Sequence, residues 1–330
     1  MTDQPKDHYQ SIVLSGTDTE LPAWFTNDYK KYSHFRPMAG GGNGVLVSCK
    51  DNNLGRTVAL KKLRPGLSHS VRDRRRLLRE ARVTAQLQHP ATVPVYEIGK
   101  DDEGQIYFAM KKIEGEDLFK ILSRIARGDD STVRTYTLDR LLGILIQASN
   151  ALGYAHTHGV IHRDVKPENI LVGFYGEVYL MDWGVAKIWG RPNDGPAPDE
   201  VTDGELRERL TTAGSRPGTP LYMSPEQVYG NRPIDERTDV FSMGVVLYEV
   251  LALREPFRGR TIEETFHNIC NATPLPPSEV STHLKVPARL ENICLKAMQK
   301  EPRARYSSIM DMVAEISQFR DETMTGPTDA

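Results

Sequence analysis

Residues 159–173 read GVIHRDVKPENILVG, and the rest of the chain can be placed around them. Short apolar runs bracket a turn that carries His162, Arg163, Asp164, Lys166 and Asn169. A salt-bridged surface loop would not need this order of residues. A little further on, VYLMDWGVAK (residues 178–187) passes from a β-like run into Asp182 and then Gly184, so that a carboxylate leaves a strand at a flexible joint. Asn169 and Asp182 thus offer hard oxygen ligands from adjacent segments. Such ligands suit Mg²⁺, which binds phosphates through one or two carboxylates and keeps several waters. The two segments outline a phosphoryl-transfer site.

Upstream, the pattern is β-like. VLVSCK and TVALKKL flank the turn-rich DNNLG, and VPVYEIG and QIYFAMKKI flank KDDEG, so each set reads as a hairpin. Between the hairpins, SVRDRRRLLREARVTAQLQ places Val71, Leu77, Leu78 and Ala81 on a helical stripe. Its arginine run reads as a solvated helix face, because no aromatic residues interleave as they would in a nucleic-acid surface. From GEDLFKILSRI onward the periodicity is helical, with candidates in DRLLGILIQASNALGYAHTHG, TDVFSMGVVLYEVLAL, TIEETFHNICN, PARLENICLKAMQ and YSSIMDMVAEISQFR. A Gly-, Pro- and Thr-rich segment from about 190 to 220 is too long for an ordinary connection and is expected to be functional or disordered.

Composition narrows the partners. The chain has 330 residues, room for two lobes with separate cores, and a formal net charge of -2, which supplies no bulk positive field for nucleic acid or an anionic membrane. The three cysteines, Cys49, Cys270 and Cys294, show no metal-ligand spacing and suit a reducing cytoplasm. The polar start MTDQPKDHYQ lacks signal-peptide architecture, and the longest apolar run is broken by Gln147, Ser149 and Asn150, so no membrane segment is expected in this chain.

With these residues in place, the chain resembles the protein-kinase family, most closely its bacterial serine/threonine members. VALK with Lys61, HRDVKPEN with Asp164 and Asn169, DWG with Asp182, and SPE ending at Glu226 occur in the family's order over about residues 29–320. The resemblance implies an α+β, bilobal fold: an N-terminal extension over 1–28, partly flexible, a β-rich lobe with one helix over 29–113, a helical lobe over 114–320 and a polar tail over 321–330. It implies ATP and Mg²⁺ as cofactors, Asp164 as the base that orients the substrate hydroxyl, Lys166 as the group that steadies the transferring phosphate, and Asn169 and Asp182 as magnesium ligands. Lys61 would hold the α- and β-phosphates and pair with Glu80. Asp239 would anchor the catalytic loop, Arg305 would pair with Glu226, and Thr219 would link the peptide-binding segment to Asp164.

The resemblance also places a nucleotide pocket. Leu46, Ala59 and Leu171 would sandwich the adenine, Met110 would guard the back, Lys111 and Ile113 would bond its edge through their backbones, and Asp117 would contact the ribose. The glycine-rich loop is Ala39, Gly40, Gly41, Gly42, Asn43 and Gly44, with Ala39 where the family has its first glycine. That change matters only where the backbone needs positive φ. Trp183 stands where phenylalanine is usual, with Thr84 smaller than the common residue one turn after Glu80, which makes a compensated packing pair a possible explanation. The expected substrates are Ser/Thr hydroxyls of proteins. Self-association for trans-autophosphorylation is a further expectation, on Thr211, Thr212 or Ser215, with Arg163 and Arg76 reading the phosphate. The alternative function is a pseudokinase scaffold that binds nucleotide with little turnover.

Overall fold

A computed structural model describes residues 25–40, 44–67, 70–188 and 220–325. They fall into two compact units, the first holding the described residues up to Arg74 together with Tyr96–Lys112, the second holding Arg75–Val95 and the described residues from Ile113 on.

The first unit is a five-stranded sheet. Its strands are β1 (Tyr32–Gly40), β2 (Gly44–Asp51), β3 (Arg56–Leu63), β4 (Val95–Lys100) and β5 (Ile106–Lys111), ordered β1-β2-β3-β5-β4. Both hairpins expected from sequence are formed. The sheet's two faces carry different chemistry. Tyr32, Cys49, Val58, Leu60, Tyr107 and Ala109 bury one face as an apolar cluster. On the other, the register sets Ala59 opposite Ser48 and Met110, and Lys61 opposite Leu46 and Phe108. Side chains alternate along a strand, so Leu46, Ala59, Lys61 and Met110 share that second face. Gly44 is required by close approach, since a Cβ there would meet the Lys62 carbonyl oxygen at 3.0 Å.

The second unit is mainly helical. Its helices are α1 (Val71–Gln86, from Arg75 on), α2 (Leu118–Ala126), α3 (Asp130–Thr135), α4 (Leu138–Thr157), α5 (Pro225–Tyr229), α6 (Arg237–Ala252), α7 (Ile262–Asn271), α8 (Pro277–Val280), α9 (Ala288–Ala297) and α10 (Ile309–Thr325). The sequence reading grouped the helix of residues 70–88 with the sheet; here Val83, Leu87 and Ala91 belong to the core shared by α4 and α6. Helix α6 is buried from Thr238 to Ala252, which matches its mostly apolar composition and leaves Asp239, Ser242 and Glu249 as buried polar groups. The expected boundary at 320 falls inside α10.

Short strands, of which the sequence reading marked only the β-like run before Asp182, shape the functional end of this unit. β6 (Gly115–Asp117), β8 (Ile170–Gly173) and β9 (Val178–Leu180) form a three-stranded sheet, and β7 (Val160–Ile161) pairs with β10 (Lys187–Ile188). Together, β7 and β8 bracket the segment His162–Asn169. No helix of the described residues is long and apolar enough to cross a membrane.

Candidate active site

The turn between β7 and β8 is built around Asp239, in the first turn of α6. Its side chain has no solvent exposure, and its carboxylate accepts the backbone N–H groups of His162 (2.8 Å) and Arg163 (2.9 Å) and the Nε2–H of His156 (2.8 Å). Burial alone would raise the Asp239 carboxyl, but the donors on its oxygens, His156 foremost, hold it below the ordinary aspartate range. This satisfied buried anion fixes the backbone at a costly point, since Arg163 sits in the left-handed region at φ 66°. Arg163 is itself buried, donating from Nε to the Val185 carbonyl (2.7 Å) and accepting the Gln227 side-chain amide at its own carbonyl (2.8 Å).

Within this frame three side chains converge. Lys166 Nζ donates to Asp164 Oδ2 at 2.6 Å, and Asn169 Nδ2 donates to the same oxygen at 3.1 Å and to the Asp164 carbonyl at 2.7 Å. Burial would lower the Lys166 ammonium, yet the charge of Asp164, with Asp182 and Glu168 behind it, carries it above the usual lysine value. Lys166 therefore stays cationic at neutral pH.

The turn carrying Asp182 is joined to this loop by backbone bonds. Met181 N–H donates to the Asn169 carbonyl (2.8 Å), and His162 Nε2–H donates to the Met181 carbonyl (2.9 Å). His162 Nδ1 accepts the Asp164 N–H (3.2 Å), which assigns the ring its Nε2–H tautomer. The carboxylate leaves β9 as expected, but the positive φ falls at Asp182 itself (60°), while Gly184 lies inside a single 3₁₀ turn (Trp183–Val185). Gly184 is tightly covered: a Cβ there would approach Arg76 Nε at 3.0 Å and Asp182 Oδ1 at 3.1 Å, so those side chains would have to give way.

Trp183 is wholly buried in the core of this unit, with its ring 4.5 Å from His162 and its Nε1–H directed at the Leu180 carbonyl (3.3 Å). Thr84 is also buried.

Asn169 and Asp182 fit a magnesium ion on the chemistry of their donors. Because the Asn169 amide nitrogen is committed to Asp164, its amide oxygen is turned the other way, and both residues then offer hard oxygens. Among the described residues no group of three His, Cys, Asp or Glu side chains could hold a metal. A two-oxygen set suits an ion whose remaining ligands are phosphate oxygens and water.

The other sequence candidates occupy definite places. Leu46, Ala59, Lys61 and Met110 share the sheet face described above, and Lys111 ends β5. Ala39 and Gly40 lie in β1, where Ala39 pairs with Leu46 and is not among the positive-φ residues. Glu80 is buried in α1. Ile113 belongs to the second unit, where Asp117 pairs with Leu171 across β6 and β8 and caps α2 by accepting the Lys120 N–H (2.9 Å). Glu226 and Arg305 form a buried bidentate pair at 2.7 and 2.8 Å. Burial opposes the Glu226 charge, but Arg305 holds its carboxyl below the usual range. Gly41, Gly42, Asn43, Thr211, Thr212, Ser215 and Thr219 lie outside the described residues.

Three supporting residues escaped the sequence reading. His156 donates to Asp239, Gln227 donates to the Arg163 carbonyl, and Thr238 donates to Glu226 (2.7 Å). Gln227 carried a signal, because Ser224-x-x-Gln227 has capping-box spacing, and the Ser224 N–H does donate to Gln227 Oε1 (3.0 Å).

Comparison with known proteins agrees with this geometry. The family model described as protein kinase domain matches residues 32–317. The serine/threonine-protein kinase PknD of Chlamydia abortus is 33% identical over 294 residues, 87% of this chain and 31% of the relative. The protein of the same name from Protochlamydia amoebophila is 31% identical over 296 residues, 87% of this chain and 30% of the relative. That of Chlamydia trachomatis serovar D is 34% identical over 295 residues, 86% and 31% of the two chains. The chain therefore spans about a third of the length of these curated relatives. With its β-sheet unit, its helical unit and a match that covers most of its length, the chain belongs to the protein kinase family.

Proposed function

We propose that this chain is an ATP- and Mg²⁺-dependent serine/threonine kinase that phosphorylates protein hydroxyls. The observation that carries the reading is the Asp164 carboxylate, held by Lys166 and Asn169 on a loop whose backbone is fixed from beneath by Asp239. In the proposed reaction the substrate hydroxyl oxygen forms a bond to the γ-phosphorus, the bond to the bridging oxygen of ADP breaks, and the hydroxyl proton passes to Asp164. Lys166, kept cationic, offsets charge on the transferring group. Asn169 and Asp182 would hold magnesium, which when bound supplies further neutralisation of phosphate charge.

Lys61 is assigned to the α- and β-phosphates with Glu80 as its partner, and Leu46, Ala59, Met110, Lys111, Ile113, Asp117 and Leu171 to the nucleotide, on the family resemblance. Phosphorylation of the segment that holds Thr211, Thr212 and Ser215, one copy acting on another in the cytoplasm, belongs to the same reading. The test is intact-mass spectrometry of the chain and an added basic protein after incubation with Mg-ATP. Phosphate mapped to Ser or Thr supports the proposal. Nucleotide binding without phosphate on either protein would establish the scaffold function instead.

A further inference from the structure

Arg76 stands against the one carboxylate assigned to the metal. It lies on α1, one turn before Glu80, and its guanidinium NH2 is 3.9 Å from Asp182 Oδ1. The side chain also lies along the Gly184 backbone, so close that a Cβ on Gly184 would meet Arg76 Nε at 3.0 Å and Cγ at 3.3 Å. Of these two contacts, one places the charge, and the other shows that the turn leaves room for the stem that delivers it.

We propose that Arg76 is a positioning residue that serves as counter-ion to Asp182 and is displaced, or relaxed outward, when the carboxylate takes up a divalent cation with nucleotide. This inference rests on the kinase reading above. The separation of 3.9 Å exceeds a hydrogen bond, so the guanidinium neutralises the carboxylate without being locked to it. Side-chain exposures of 19% for Arg76 and 31% for Asp182 let water screen the pair and let Arg76 move without a large desolvation change. A dication binding at the same oxygens must overcome repulsion from the resident guanidinium. Arg76 and Glu80 are four residues apart on one helix face, so a shift of Arg76 bears directly on the helix that carries Glu80.

The experiment is a magnesium titration of fluorescent ADP-analogue binding to the full chain, comparing wild type, Arg76→Gln and Arg76→Lys at low and high KCl. Removing the charge should lower the half-saturating Mg²⁺ concentration by about threefold, the scale of a partly exposed ion pair. Lysine should restore the wild-type value, and high salt should shrink the difference between wild type and Arg76→Gln. A loss of Arg76 that acted only on packing would be insensitive to salt and would not be repaired by lysine. An unchanged or higher Mg²⁺ requirement in Arg76→Gln, with wild-type binding intact, overturns the counter-ion role alone. Failure of the wild-type chain to bind nucleotide in a magnesium-dependent way overturns the functional reading and this inference with it.

Discussion

The loop that carries Asp164 and the turn that carries Asp182 lie in one compact unit, both tied through backbone groups, but their surroundings differ in burial. The loop is fastened through its backbone to a carboxylate with no solvent exposure, at 2.8 and 2.9 Å. The turn is fastened through the Met181 backbone and by Trp183, wholly buried, while the Asp182 carboxylate itself is about a third exposed and meets Gly184 N–H at 3.4 Å and Arg76 at 3.9 Å. On the proposed roles, position is needed at the first place and exchange at the second: a base that orients a hydroxyl gains from fixed geometry, whereas a metal ligand must release one counter-charge to accept another.

The comparison is tested most severely at Asp239. Asp239→Ala leaves two buried amide donors and a buried imidazole without their acceptor, and unfolding should become easier by about 3 kcal/mol or more, read in denaturant melts. A loss under about 1 kcal/mol would mean that the loop is held by something else. Acidification tests the same anchor without mutation. Asp239 and Glu226 have folded-state affinities for protons below their ordinary values, so their contribution is full above the normal carboxylate range and is lost as pH falls through the depressed values. Wild-type stability should therefore fall below about pH 4, and more steeply than in Asp239→Ala, where one such group is absent.

A smaller effect is expected in the turn. Trp183→Phe removes the bond to the Leu180 carbonyl and leaves unfilled volume, for a cost of about 1 kcal/mol in thermal melts. If the indole fills space left by Thr84, Thr84→Leu should restore part of that loss. Purely additive effects would separate the two residues and leave Trp183 acting without Thr84.

Much of this was legible in the sequence because chemistry and periodicity are local signals. The two hairpins announced themselves through turn residues between β-like runs, and the long helices through apolar spacing. Asp164, Lys166 and Asn169 lie within one turn, so their convergence needs little of the tertiary fold. Of the short strands only β9, read as the β-like run before Asp182, was legible; β6, β7, β8 and β10 were not separable, because runs of two to four residues carry no usable period. His156 and Thr238 were not legible either, since their partners lie 83 and 12 residues away and only the fold brings them together. The left-handed backbone at Asp182 was not legible, because a non-glycine residue at positive φ leaves no mark in the sequence, and Gly184 itself is not in that region.

The central claim is that the Asp164 carboxylate acts on the substrate hydroxyl and is not part of the nucleotide's hold. Asp164→Asn should be measured side by side in phosphate transfer to a protein substrate and in equilibrium binding of a fluorescent ATP analogue. Transfer should fall by roughly 10²–10⁴-fold while nucleotide affinity stays close to wild type. Transfer at the wild-type rate in Asp164→Asn would contradict the account, and so would a loss of transfer fully explained by lost nucleotide binding.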